Sequence, residues 1–356
     1  MSVNQVVLLL LLPLCFAKSD VTFKNVTFRG YSVFTEKFKK VIPASNSLKD
    51  FLPESTFDMI EFRDQNIPVL YEDSLSNLDE LDELIIESCS VYEIRPGALK
   101  NVPLLRRLSL KANKIEEIKG DIFNNLPLST LDLSKNRITT ISPTAFDYMS
   151  SLLNINLADN QISVWNPSWF KNTPLLTRIS MQNNSITVIP EQAFHNLEGE
   201  KKFGKIDLSI NLIFSYNKIE KIHPQAFSGL KKINNLWLDH NSIEEFDGDL
   251  LKGVAVKELR LNYNQIKCPT GDLSEMFRAE LTSIDVNPLD CDCLETIKDW
   301  KKKTGKHVEL FYADMECTTQ RIKKKMTALE ERIKEIRSMD KETVTNVDLL
   351  PAKPIK

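Results

Sequence analysis

The chain is poor in the residues on which most enzymatic chemistry is built. It has 4 histidines and 6 cysteines in 356 residues. His195, His223, His240 and His307 are scattered, and none stands beside a Ser or Cys in a nucleophile motif. With only 10 glycines it also has no Gly-rich loop of the kind that cradles a phosphate. Metal-ligand spacing is missing as well, since the cysteines form no C-x-x-C pair. No enzymatic activity, no metal and no cofactor are therefore expected. Excess charge of one sign is lacking too: a formal net charge of −3 from 46 Lys+Arg and 49 Asp+Glu gives no bulk attraction to nucleic acid or to an anionic membrane. After residue 17 no apolar run is long enough to cross a bilayer, so no membrane span is expected. The stretch from Asp348 to Lys356 lacks the hydrophobic tail of a lipid-anchor signal.

What the chain does have is one short pattern, repeated about ten times between Ile60 and Val286. The clearest copies are Leu108-Ser-Leu110-Lys-Ala-Asn113-Lys-Ile115, Leu131-Asp-Leu133-Ser-Lys-Asn136-Arg-Ile138 and Ile155-Asn-Leu157-Ala-Asp-Asn160-Gln-Ile162, which start 23 or 24 residues apart. The frame extends back to Leu84 and Ile60 and forward to Ile179, Leu236, Leu259 and Ile284. Self-similarity of the form L-x-L-x-x-N/C-x-L at this period is the signature of a leucine-rich repeat.

In each copy the two apolar residues of L-x-L point inward and the residue between them outward, because strand side chains alternate faces. One copy cannot bury its apolar side alone, so copies stack. The expected fold over 57–286 is an α/β solenoid, a horseshoe with a parallel sheet on its concave face. Asn113, Asn136, Asn160, Asn184, Asn217, Asn241 and Asn264 fall where the chain leaves each strand. A buried amide there satisfies backbone groups that the turn leaves unpaired, so the ladder reads as scaffold rather than as a ligand site. Phe123, Phe146, Phe170, Phe194 and Phe227 recur on the convex side and read as a packed aromatic spine rather than a binding stripe.

The ends differ from the array. Val6 to Leu14 form an apolar run followed by Cys15-Phe16-Ala17 and Lys18, so 1–17 reads as a secretory leader, with a buried N-terminal strand as the alternative. A secreted, extracellular chain follows from the leader reading. Residues 18–56 read as a disulfide-free N-terminal cap that adds an edge strand, with strand-like alternation at Val21-Thr-Phe23 and Val26-Thr-Phe28. Asn25-Val-Thr27 and Asn183-Asn-Ser185 are glycosylation sequons, the second just past a concave-face strand.

Cys89 occupies the ladder slot of Leu84-Ile-Ile86-Glu-Ser-Cys89-Ser-Val91. It reads as a buried free thiol, or else as a link between two chains. Cys268, Cys291, Cys293 and Cys317 gather around the segment 287–320, in Asn287-Pro-Leu-Asp-Cys291-Asp-Cys293-Leu with Trp300 beyond. A terminal copy needs a cover for its apolar face, and disulfides stabilise a cover too small for its own core. Cysteines one residue apart rarely bond each other, so each is expected to pair with Cys268 or Cys317, in an order that stays open. Further on, Ile322, Met326, Leu329, Ile333 and Ile336 are spaced 4, 3, 4 and 3 along 321–341. This is an a/d seam, read either as a weak homo- or heterodimer contact or as an amphipathic helix folded onto the cap. Residues 342–356, with two prolines, read as disordered.

One copy is irregular. Ile206-Asp-Leu208-Ser and Tyr216-Asn-Lys-Ile219 would join into a normal copy without the residues between them, so registers starting at Ile206 and at Leu212 compete. Glu198 to Lys202 must then loop outward, as a tolerated insertion or as a binding device.

Function is expected on the outward positions of the concave strands. Near the N-terminal end these are acidic, with Asp58, Glu61, Asp64, Asp82, Glu83 and Glu87, and Arg106, Arg107 and Lys111 follow. Neutral strands come next, then Trp237, Asp239, His240, Arg260 and Tyr263. Exposed Trp, Tyr and Arg dominate interface energetics, which makes Trp237, Arg260 and Tyr263 the expected hot spot. The alternative for Trp237 is stacking on its neighbouring strands.

The order of leader, repeats, cysteine cap and short coiled coil resembles secreted animal leucine-rich repeat proteins and, more narrowly, the insect leucine-rich immune proteins. The N-P-L-x-C-x-C…W string resembles the C-terminal cysteine cap of extracellular members, with the departure that only Cys317 follows Trp300 and Cys268 comes from the last full copy. The resemblance implies a solenoid that binds protein partners, and the first functional reading is a soluble recognition protein in innate immunity or extracellular signalling that binds an extracellular protein or glycan on the concave face. The resemblance also implies a helical tail for dimer formation and recruitment of complement-like factors. A matrix or adhesion component acting through oligomerisation is the reading of the other class.

Overall fold

The computed structural model describes residues 21–33, 35–54, 57–197 and 210–345, with side chains to residue 337. The expected leader, the stretch from Glu198 through Leu208 and the tail from residue 346 lie outside the described residues. The chain divides into two compact units, Met1–Asn160 with Ser168–Pro174, and Gln161–Pro167 with Leu175–Lys356. Each is a stack of parallel β-coils, a leucine-rich repeat solenoid.

The first unit opens with an antiparallel hairpin, β1 (Phe23–Ser32) and β2 (Thr35–Ser45). β1 also pairs antiparallel with β3 (Met59–Arg63). The expected single edge strand is thus a hairpin with β2 outermost. Its apolar face covers the first coil, with the rings of Phe23 and Phe28 stacked on Phe62 at centroid distances of 5.5 and 5.4 Å. A side chain at Gly30 would collide with the Phe38 ring, at 2.1 Å from Cζ, so this close approach requires glycine. From β3 the sheet runs parallel through β4 (Glu83–Glu87), β5 (Arg107–Ser109), β6 (Thr130–Asp132) and β7 (Asn154–Asn156). Like positions of successive copies lie side by side, Ile60 beside Leu84, Leu108, Leu131 and Ile155, all buried.

The second unit continues the design with β8 (Arg178–Ser180), β9 (Ile210–Ile213), β10 (Lys232–Trp237), β11 (Ala255–Arg260), β12 (Leu281–Ser283) and β13 (Val308–Glu309), all parallel. Leu212 pairs with Ile179 and Leu236, so the irregular copy is built in the register that starts at Leu212, and Phe214 fills its second inward slot. In the last copy Thr282, not Ile284, aligns with Leu259. Ile284 is the second inward residue there, because the sequence puts a hydroxyl where the frame wants an aliphatic side chain. Thr282 is fully buried and its hydroxyl has no partner among the described residues.

The asparagine ladder works as backbone chemistry. Asn136 Nδ2 donates to Leu133 O at 3.0 Å and Ser134 O at 3.2 Å in its own turn and to Leu110 O of the preceding coil at 3.0 Å. Its Oδ1 accepts from Ile115 N at 3.1 Å. Asn241 repeats the arrangement in the second unit, and Asn287, read from sequence as the start of the cap, is a further rung. The residue before each rung has positive φ: Ser88, Ala112, Lys135 and Asp159 in the first unit, Asn183, Tyr216, His240, Tyr263 and Val286 in the second. A left-handed residue there costs energy without glycine, and the buried amide bonds hold it. Cys89 is a buried free thiol that donates to Glu87 O at 3.2 Å. Since sulfur is a poor acceptor, Ile67 N turns instead to the main-chain oxygen of Cys89, at 2.8 Å. Behind the strands, Phe123 stacks on Phe146 and Phe146 on Phe170, at 6.4 and 5.6 Å, and in the second unit Phe194 stacks on Phe227 at 5.7 Å.

The C-terminal cap carries the disulfide Cys268–Cys293, which joins α1 (Cys291–Thr304) to the last coils, and Cys291–Cys317, which joins α1 to α2 (Phe311–Thr345). The open pairing order is thereby resolved. α2 begins ten residues before position 321, so cap and seam share one continuous helix that includes residues 342–345. The reason is a tertiary cap: Asp285 Oδ2 and Oδ1 accept from Tyr312 N and Ala313 N, both at 3.0 Å.

Candidate functional site

Outward side chains of the first unit's sheet do not form the acidic patch that the sequence suggests. Arg63, two positions beyond Glu61 and therefore on the same face, pairs with Glu61 at 3.1 Å and with Glu87. Arg29 reaches Glu61 from the hairpin at 3.6 Å. Arg107 pairs with Asp82 at 2.5 Å and Glu83 at 3.0 Å, Arg106 with Asp82 at 3.7 Å, and Ser109 Oγ donates to Glu87 at 2.5 Å. Burial works against the charge on Arg63, yet the two glutamates outweigh it and hold its pKa above the ordinary value. Lys111, on the same column as Arg63 and Glu87, makes no ion pair among the described residues. Glu61, Asp82, Glu83 and Glu87 are thus neutralised by arginines, while Asp58 and Asp64 make no ion pair among the described residues. Half-exposed pairs of this kind contribute little to stability. Arg63 was legible from the alternation of β3, whereas Arg29 was not, because only the hairpin's docking brings it there.

The second unit's sheet is different. Trp237 and Arg260 are cross-strand neighbours on β10 and β11, and the guanidinium lies 3.9 Å from the indole centroid. Arg260 is oriented by Glu258 Oε1 at 2.6 Å. Beside them, on the left-handed turn positions, His240 is sandwiched between Tyr216 at 4.0 Å and Tyr263 at 4.1 Å. The two tyrosines are 48% and 46% exposed, so the stack forms a wet aromatic edge. Tyr216 was missed in the sequence; its position just before Asn217, the same as that of His240 and Tyr263 before their rungs, was the available signal. Asp239 was expected to point outward for binding but is buried, accepting from Ser215 Oγ at 2.6 Å and orienting His240 Nδ1 at 3.0 Å. Trp237 Nε1 and Asn262 Oδ1 are buried without a hydrogen-bond partner among the described residues, two orphan polar atoms on neighbouring coils of this face.

Two other expected features can be placed. Asn25 and Asn183 are exposed, both with positive φ. The seam residues Ile322, Met326, Leu329, Ile333 and Ile336 are 42–60% exposed, so the seam does not fold onto the cap. Its role there is taken by Ala313 and Cys317, buried in the first turns of α2. Among the described residues no group of His, Cys, Asp and Glu could hold a metal ion, and no helix is long and apolar enough to cross a membrane.

Comparison with known proteins agrees with this architecture. The leucine rich repeat family profile matches residues 103–162, 127–186, 150–199 and 210–266. These residues carry leucine-rich repeats, in keeping with the solenoid of both units. It is similar to lumican of Gallus gallus, 26% identical over 238 residues that cover 65% of this chain and 65% of lumican. Its fold is shared by the solved structure of a TLR13–ssRNA13 complex, with a TM-score of 0.50 at 22% identity, covering 62% of this chain and 33% of that one. A Toll–Spatzle complex of Drosophila, in its glycosylated form, gives a TM-score of 0.51 at 15% identity over 71% of this chain and 38% of that one.

Proposed function

We propose that this chain is a secreted recognition protein that binds an extracellular protein or glycan through the outward sheet face of its second unit, in innate immunity or extracellular signalling. The observation that carries the reading is the Trp237/Arg260 pair beside the Tyr216–His240–Tyr263 stack. These are the side chains that supply most binding energy at interfaces, and here they stand together with two unsatisfied buried polar atoms. The cap disulfides support an oxidising, extracellular setting, where the sequons at Asn25 and Asn183 would carry glycans. The Toll and TLR13 structures are complexes with Spatzle and with RNA; their likeness supplies the fold, and the ligand class here rests on the side chains.

The test starts from a partner captured by the secreted chain and identified by mass spectrometry. Trp237→Ala with Arg260→Ala and Tyr263→Ala should weaken its affinity by about tenfold or more, a loss of about 1.4 kcal/mol or more. Arg107→Ala, on the self-neutralised face, should change it little. Full affinity in the triple variant refutes the reading.

The second class, a structural component acting by oligomerisation, is favoured by the exposed seam of α2. Lys323, Lys324 and Lys325 beside Glu330 and Glu331 suit a staggered or antiparallel pairing with a second copy. Two heptads give only a weak dimer. Sedimentation should find dimer in the full chain and monomer both in a chain ending at Thr319 and in Leu329→Glu. Monomer in all three removes this class.

A further inference from the structure

Away from the sheet face, the end of α1 carries five lysines within nine residues, Lys298, Lys301, Lys302, Lys303 and Lys306, followed by His307 and accompanied by one acid, Asp299. A short lysine-rich run of this kind is a weak signal by itself, commonly a solvated surface. The fold changes its weight. Gly305 closes α1 in a left-handed conformation, φ 69°, so the chain reverses and returns Lys306 and His307 beside the last helical turn. Lys298, Lys301 and Lys302, three and four residues apart on one face of α1, line a cavity of about 680 Å3 together with His307 and Phe311. Three acids also line it, but two are committed: Asp285 caps α2, and Asp314 pairs with Lys298. Lys302, Lys303 and Lys306 are exposed and make no ion pair among the described residues, Lys306 Nζ donating only a long hydrogen bond, 3.5 Å, to Arg278 O. Phe311, which lines the cavity with Lys302, is an apolar ring 72% exposed.

We infer that the lysine-rich end of α1, together with this cap cavity, binds a sulfated polysaccharide, with Lys302 of the cavity wall and the exposed Lys303 and Lys306 of the same turn taking sulfates and the Phe311 ring taking the face of a sugar. Charge complementarity selects an anion, since a local field of several lysines attracts a polyanion even on a chain of net charge −3. The residue type narrows it. Lysines are rotatable point charges that suit spaced sulfates, whereas planar bidentate recognition calls for arginine. An exposed aromatic in the same cavity as Lys302 has no use for a bare ion, but it stacks on a sugar's apolar face. The site is separate from Trp237 and Arg260 and does not depend on their role.

The experiment uses the full chain and heparin-derived oligosaccharides of defined length as the probe, with the same chains after desulfation as comparison. Binding should be measurable near physiological salt, weaken as salt rises, and fall about tenfold or more when Lys302, Lys303 and Lys306 are all changed to Ala. Phe311→Ala should weaken it several-fold without altering the salt dependence. Changing Lys24, Lys37 and Lys39 to Ala removes the same charge from the exposed N-terminal hairpin and should leave the affinity within about twofold. Thermal melts should show all three variants folded. The inference is overturned by equal binding of desulfated chains, by equal loss in the two triple variants, or by no binding at all. Binding of phosphatidylserine vesicles or a single-stranded oligonucleotide as tight as that of heparin, lost with the same lysines, also overturns the assignment to sulfated sugar.

Discussion

Replacing Asn136 by alanine removes one side chain and breaks four hydrogen bonds within the first unit. Ile115 N loses its acceptor at 3.1 Å, and the carbonyls of Leu110, Leu133 and Ser134 lose a donor. Carbonyls have a second lone pair and tolerate this better than an N–H does. Each of the three carbonyls keeps another donor, Asn113 Nδ2 on Leu110 O, Asn160 Nδ2 on Leu133 O and Ala112 N on Ser134 O, so the one group left unsatisfied is Ile115 N and the cost is roughly 1–3 kcal/mol. For a unit of this size 1 kcal/mol moves the melting temperature by about 2–4 °C, so the drop should be roughly 2–12 °C by circular dichroism. Arg137→Ala, exposed on the same turn, should shift it by less than about 0.5 kcal/mol. Lys135 is unsuitable as the control, because its φ of 57° makes any replacement there a backbone change. Asn136→Cys should fall between the two: a thiol can donate as Cys89 does but cannot accept from Ile115 N. Equal melting shifts for Asn136→Ala and Arg137→Ala would refute the assignment of the ladder as backbone satisfaction.

Other expectations follow from the same geometry. Non-reducing peptide mapping should recover the links Cys268–Cys293 and Cys291–Cys317, and removing one should destabilise the cap by about 2–5 kcal/mol; a Cys291–Cys293 link would contradict the structure. Burial pushes the Cys89 thiol up to about 11, so it should resist alkylation in the native protein at pH 8 and react on unfolding. A raised folded value means that the contribution of this thiol is complete below its ordinary range, near pH 9, and is lost as pH rises through about 11. Unfolding titrations at pH 8 and pH 10.5 on wild type and Cys89→Ala should show the wild type losing more stability between the two, and parallel losses would sink the idea. Asp285→Ala should cost about 0.5–2 kcal/mol and raise amide exchange at Tyr312 and Ala313, the two amides that it caps.

The sequence by itself determined the repeat, its inward and outward residues, the asparagine rungs and the four cysteines of the cap. These are legible because strand alternation and turn chemistry act over two or three residues, and the 23- or 24-residue period repeats them until chance is excluded. Arg63 belonged to the legible part: it stands two places from Glu61 in the same strand. What tertiary structure decided are relations between residues that one copy does not contain. Glu61 gains a second arginine, Arg29, delivered by a hairpin more than thirty residues away in sequence, and the reach of Arg63 from its own strand to Glu87 exists only because the two strands pair. The choice of Leu212 over Ile206 as the start of β9 was made by pairing with Ile179 and Leu236, since both registers satisfy the local pattern. Asp239 is outward by alternation, yet it lies buried because Ser215 and His240 close over it from adjacent coils and turns. The extension of α2 back to Phe311 required a carboxylate from β12's turn, and the disulfide order required the path of α1. In each case a local code fixes direction, and only the stacking of neighbours fixes partners, because a side chain's energy depends on what stands opposite it.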